Sequence, residues 1–112
     1  MNKTKLSETE SEALKEFAGK VAALLGTGYL YGVLFGSKAR GEGADYSDLD
    51  VALIVKINKH AIKRDVIDLA YEEYLATGVN ISPIVFSADE FARMLSIGNP
   101  LAREIERDKV PL

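Results

Sequence analysis

The sequence predicts an α/β (α+β) protein built as a small sheet flanked by helices. Three short apolar runs, rich in branched and aromatic residues, lie at residues 29–35, 49–55 and 79–86 and read as buried strands. Around and between them, apolar residues recur at helical spacing. Capping and stop residues stand at the boundaries of those segments, which fixes their type as well as their place. The resulting order is helix, strand, short helix, strand, helix, strand, helix, helix, a set of elements that buries its apolar faces by layering helices on a sheet.

Residues 1–6 are polar and lack the apolar centre of a signal peptide. Ser7-x-x-Glu10 is a capping box, and Leu14, Phe17, Ala18, Val21 and Leu25 follow on one helical face, so a first helix is expected over residues 8–25. Residues 21–37 carry no charge, a length at the lower edge of the roughly 17–25 residues that span a bilayer. Gly26-Thr27-Gly28 interrupts that run, and the pattern changes there from helix to strand, so a soluble, cytoplasmic protein is expected. After the second strand, Asn58 can start a helix with Ile62, Val66, Leu69 and Ala70 inward and its end at Gly78. Tyr71 and Tyr74 widen that face, where aromatic residues serve a core or an interface more often than they stack on a base. Pro83 places the third strand at a sheet edge or beside a bulge, because proline cannot donate to the ladder. Ser87-x-x-Glu90 opens a helix that buries Phe91, Met94 and Leu95, and Asn99-Pro100 caps a last short one.

Composition narrows the chemistry. A chain of 112 residues is expected to form one domain with an ordinary core. Its net charge of -3 provides no general basic field, which argues against non-specific binding to long nucleic acid. With no cysteine there is no disulfide framework or thiolate site, and the single histidine, His60, does not support zinc and reads as a surface residue in a polar connection.

The most concentrated polar chemistry lies in residues 36–50, between the first two strands. Strand side chains alternate, so Asp48 and Asp50 point to the side also taken by Ala52 and Ile54. Two like charges at the mouth of a buried strand repel and lose solvation unless a cation neutralises them. Magnesium suits the place, since it is held by one or two carboxylates together with substrate phosphates. Gly36 allows close backbone approach, Ser37 offers a hydroxyl, and Lys38 and Arg40 add positive charge. A Walker A loop is excluded because Glu42-Gly43 follow Gly41, a dinucleotide fingerprint because Tyr46 replaces the third glycine, and an EF-hand because Val51-Ala52 follow Asp50.

Gly36-Ser37, ten residues, then Asp48-Leu49-Asp50, with Ala39-Arg40-Gly41 and Ser47 inside, resembles the signature of the DNA polymerase beta-like nucleotidyltransferase superfamily, above all its minimal members. Asn99-Pro100-Leu101 and residues 103–106 extend the resemblance, which covers nearly the whole chain. The resemblance implies a nucleotidyltransferase domain over residues 1–112, with a mixed sheet of three or slightly more strands and the Asp48/Asp50 strand beside the third. It implies that Gly36 and Ser37 grip the phosphates of a nucleoside triphosphate, catalytic and metal-binding roles for Asp48 and Asp50, a one- or two-metal magnesium site, and transfer of a nucleoside monophosphate to a hydroxyl; Lys38, Arg40 and Ser47 are the further residues expected to bind the nucleotide. The family's third acid falls on the third strand, where this chain has Asn80 and Ser82 instead. Neither is a useful base at neutral pH. Glu42, Asp45, Asp89 and Glu90 are the acids that could replace it. The gap also leaves open an interaction module, such as the antitoxin of a toxin-antitoxin pair with a small helical partner, or self-association.

Overall fold

The computed structural model describes residues 5–43 and 47–112. Helix α1 (Glu8–Leu25) leads through a single 3-10 turn into strand β1 (Tyr29–Phe35), the one-turn helix α2 (Ser37–Arg40) and strand β2 (Leu49–Val55). Then come α3 (His60–Thr77), β3 (Ile81–Ser87), α4 (Ala88–Ser96), α5 (Pro100–Asp108) and the two-residue β4 (Val110–Pro111). The strands form one mixed sheet in the order β3-β2-β1-β4. β1 runs antiparallel to β2 and β4, whereas β2 and β3 are parallel, joined by the α3 crossover.

Alternation along β2 produces two cores. Leu49, Val51, Leu53 and Val55 pack under α1 and α3 against Phe17, Val21, Val66 and Ala70. Ala52 and Ile54 face the other way, with Val33, Phe35 and Phe86, against Phe91 of α4 and Ala102 and Ile105 of α5. Both capping boxes form, at Ser7/Glu10 and Ser87/Glu90, and Asn99 caps α5 above Pro100. Pro83 lies in the edge strand, where a missing donor costs least. Among the described residues, no helix is long and apolar enough to cross a membrane.

Four details differ from the sequence reading. Asn58 does not cap α3; Lys59 occupies the N-cap position without a side-chain capping bond, and the Asn58 amide instead donates to the Val85 carbonyl at 3.0 Å, tying the β2–α3 connection to β3. Tyr71 and Tyr74 are exposed, at 60% and 48%, and stack on one another outside the core. The inward stripe of α3 continues through Glu73, which is 1% exposed, so the flank carrying the tyrosines turns outward. β3 begins at Ile81, two residues later than expected. β4 is a further strand, too short to leave a periodic signal, and is followed by a Leu112 N–H that donates to the Gly32 carbonyl at 3.1 Å.

Candidate active site

The β1–β2 pair and its connection form the site. At the end of β1 the chain turns at Gly36, whose φ of +80° is open to glycine and strained for other residues. A Cβ on Gly36 would lie 2.7 Å from Oδ2 of Asp50, so the glycine also makes room for the carboxylate that faces it. Ser37 begins α2, and its carbonyl accepts the Glu42 N–H at 2.9 Å, which folds the following segment back over the turn. A Cβ on Gly43 would meet the Ser37 hydroxyl at 3.1 Å. Residues 44–46, including Asp45 and Tyr46, are outside the described residues.

The two cations of the turn already have partners. Lys38 is 4% exposed, and its Nζ lies 3.0 Å from Oε2 of Glu10. Burial opposes ionisation of Glu10, but the Ser7 N–H and the Lys38 ammonium outweigh it and hold the carboxyl below its usual range. Arg40 reaches Glu42 at 3.1 Å and Asp108 of α5 at 2.6 Å. Arg107 chiefly, and Arg40 with it, depress the Asp108 carboxyl against the opposing effect of burial. Thus Lys38 fastens the turn to α1, and Arg40 fastens it to α5.

Asp50 stands opposite Phe35 in β1 and Ser82 in β3, partly buried on the sheet face that α4 and α5 cover. Burial first, then repulsion from Asp48 and from Glu104, raises its carboxyl pKa above the ordinary value. Asp48 is exposed just before β2, and its Oδ1 accepts the Asn80 amide at 2.9 Å. Ser47, partly buried, precedes it. Both residues at the expected third-acid place therefore lie beside the pair, Asn80 at Asp48 and Ser82 in register with Asp50.

Of the acids considered as replacements, Glu42 is paired with Arg40, while Asp89 and Glu90 border a hollow at the opposite end of the sheet, next to His60. Glu104, on α5, carries no sequence signal that points to this site. Its amphipathic helix marks Ala102 and Ile105 as inward, but only the docking of α5 on this sheet face brings the neighbouring carboxylate close enough for its charge to be felt at Asp50. Among the described residues there is no group of three acidic or histidine ligands. The donor set is two hard carboxylates repelling each other across an open turn, which fits magnesium shared with phosphate oxygens and does not fit a soft or fully protein-ligated metal.

A mixed sheet whose central strand opens on an Asp-x-Asp pair facing a Gly-Ser turn defines a nucleotidyltransferase. The chain belongs to the nucleotidyltransferase domain family, whose family model matches residues 14–110. A Methanocaldococcus jannaschii protein described as a putative protein adenylyltransferase is 35% identical over 94 residues, 79% of this chain and 60% of the relative, so the chain spans well under two thirds of that protein. The fold is shared with the solved structure of a putative minimal nucleotidyltransferase (TM-score 0.55, 22% identity, 90% of this chain and 94% of that one). It is shared also with a putative nucleotidyltransferase from Sulfolobus solfataricus (TM-score 0.56, 23% identity, 96% and 88%).

Proposed function

We infer that the protein binds a nucleoside triphosphate with magnesium and transfers the nucleoside monophosphate to a hydroxyl. The acceptor oxygen forms a bond to the α-phosphorus, the bond from that phosphorus to the β-phosphate bridge breaks, and pyrophosphate leaves with the electron pair. The observation that carries this reading is the Oδ2 of Asp50 held against the one backbone position, Gly36, where a Cβ would collide with it. This close approach supports a carboxylate working next to the turn that Ser37 opens.

In this reading Ser37 donates to the triphosphate, and Ser47 borders it. Asp48 and Asp50 hold magnesium, which when bound offsets the phosphate charge and orients the chain of phosphates. Lys38 and Arg40 act through their ion pairs, keeping the turn in place rather than reaching phosphate. Asn80 holds Asp48 in orientation. Among the described residues, the acid whose charge is felt at Asp50 besides Asp48 is Glu104, which makes it the candidate to take the acceptor's proton, since Asn80 and Ser82 cannot take it at neutral pH.

The similarity to a protein described as an adenylyltransferase of proteins makes ATP and protein hydroxyls the first pair to test. Incubation with each labelled triphosphate and magnesium, with and without cell extract, is expected to transfer label from at least one of them. Absence of transfer from ATP, GTP, CTP and UTP alike, with magnesium-dependent binding retained, would favour the second reading. That reading is a partner-binding module that keeps the nucleotide site, such as an antitoxin with a helical partner. It draws support from the exposed apolar stripe of Ile67, Tyr71, Tyr74 and Leu75 on α3.

A further inference from the structure

At the far end of β2, about 20 Å from Asp50 by the strand rise over the six residues to Lys56, lies a second polar hollow with a volume of about 500 Å³. It opens outside the carboxyl ends of the two parallel strands, between the β2–α3 and β3–α4 connections, a place where α/β sheets commonly receive ligands. Lys56, Lys59, Lys63 and Arg93 converge on it.

The pairing of charges sets these four apart. Lys20, Lys38, Arg40, Arg107 and Lys109 each have a carboxylate within 4 Å. Among the described residues, none of the four cations of the hollow does. The acids at its rim do not answer them: Glu90 is turned to the Ser87 N–H at 3.1 Å in its capping box, leaving Asp89 as the other carboxylate. Lys59 also occupies the N-cap position of α3, where the helix dipole is positive, so it is disfavoured by the helix that follows it. Four mutually repelling cations gathered in a concavity of an acidic protein gain little as solubilising surface, and an anion with several charges relieves the repulsion at once.

We propose that this hollow binds a phosphate-bearing ligand, at a site separate from the Asp48/Asp50 pair. Lys56 and Lys59 approach from the β2–α3 connection, Lys63 from the second turn of α3, and Arg93 from α4, the guanidinium providing the planar fork that grips phosphate oxygens bidentately. The volume suits a chain of a few phosphates or a nucleotide. Such a ligand requires no metal here, because the neutralising charge is the protein's own.

The test uses the whole protein in a chelator, so that magnesium-dependent binding at the aspartates is silent. Inorganic tripolyphosphate and a short single-stranded oligonucleotide are titrated separately by calorimetry at low and moderate salt. Binding of either probe is expected to weaken at least 10-fold in the K63A/R93A double variant and to stay within 2-fold of wild type in D48N/D50N. Binding of tripolyphosphate identifies a free polyphosphate as the source, and binding of the oligonucleotide alone identifies a strand's phosphates. Absence of binding by wild type to both probes at millimolar concentration would overturn the proposal, as would affinity unmoved in K63A/R93A or lost in D48N/D50N. Failure here leaves the magnesium-dependent triphosphate binding proposed for Asp48 and Asp50 untouched, so the two readings are decided separately.

Discussion

At the scale of single residues, the site is a place where folding and ligand binding make opposite demands. Asp50 is held above its ordinary pKa by burial and by two neighbouring carboxylates, so its ionised form costs folding energy at neutral pH. Asp50→Asn is expected to raise the melting temperature at pH 7 while abolishing magnesium-dependent nucleotide binding. For an acid whose folded pKa is raised, the cost is present at high pH and vanishes below the unfolded value, so the gain should shrink as the pH falls and be gone below about 4. Thermal melts from pH 7 to pH 3.5 would check the trend; a gap that widens on acidification would contradict it. Ser82→Asp, in register with Asp50, is expected to tighten magnesium binding by supplying a third carboxylate, whereas Asn80→Asp replaces a 2.9 Å hydrogen bond to Asp48 with repulsion and should lower stability. Calorimetry with magnesium and triphosphate separates the two. The acid pair and the Gly-Ser turn were legible in the chain because alternation and spacing are local properties. The partners of Lys38 and Arg40 were not, since Glu10 and Asp108 lie far away in sequence and nothing in a lysine or arginine announces which carboxylate it will find.

At the scale of elements, α1 carries a partly buried glutamate and α3 a buried one, with roles that hydrophobic periodicity does not reveal. Glu10 serves the capping box through Oε1 and Lys38 through Oε2. Glu10→Ala leaves a 4% exposed ammonium without its partner and is expected to cost about 3 kcal/mol, against a few tenths for Glu8→Ala on the exposed side. Because Glu10 is held below its usual pKa, its contribution is present at neutral pH and is lost as the pH falls through the folded value, so urea midpoints of wild type and variant should converge under acid conditions. Glu73 is the opposite case. Both its carboxylate oxygens are buried without a hydrogen bond, and Lys20 approaches only to 3.6 Å. Burial, with Glu16 adding repulsion, raises its pKa, so Glu73→Met is expected to stabilise the fold by about 1–2 kcal/mol at pH 7, with the gain fading towards pH 4. The boundaries of α1, α4 and α5 could be read because caps are written in adjacent residues. The outward turn of Tyr71 and Tyr74 could not, because a stripe that includes a buried glutamate looks narrower in sequence than it is in space.

At the scale of the whole molecule, one mixed sheet separates two ends of opposite chemistry, an acidic pair where β2 begins and a cationic hollow where β2 and β3 finish. The order of elements followed from periodicity, but the parallel pairing of β2 with β3 and the closure of β1 by β4 depend on contacts distant in sequence. The antiparallel pairing of β1 with β2 is different, since it joins strands separated only by residues 36–48 and sets Phe35 against Asp50. Short-range pairings are closed early in folding, at small entropic cost, whereas the parallel β2–β3 contact must wait for α3. The carboxylate repulsion is then already felt at the folding barrier, and Asp50→Asn should steepen recovery after dilution from urea, raising the refolding rate more than it slows unfolding. Stopped-flow measurements showing a change confined to the unfolding limb would place that hairpin late. If the hairpin does form early, magnesium and a triphosphate bound as proposed would speed the chain's own maturation, acting as a template for the strands on either side.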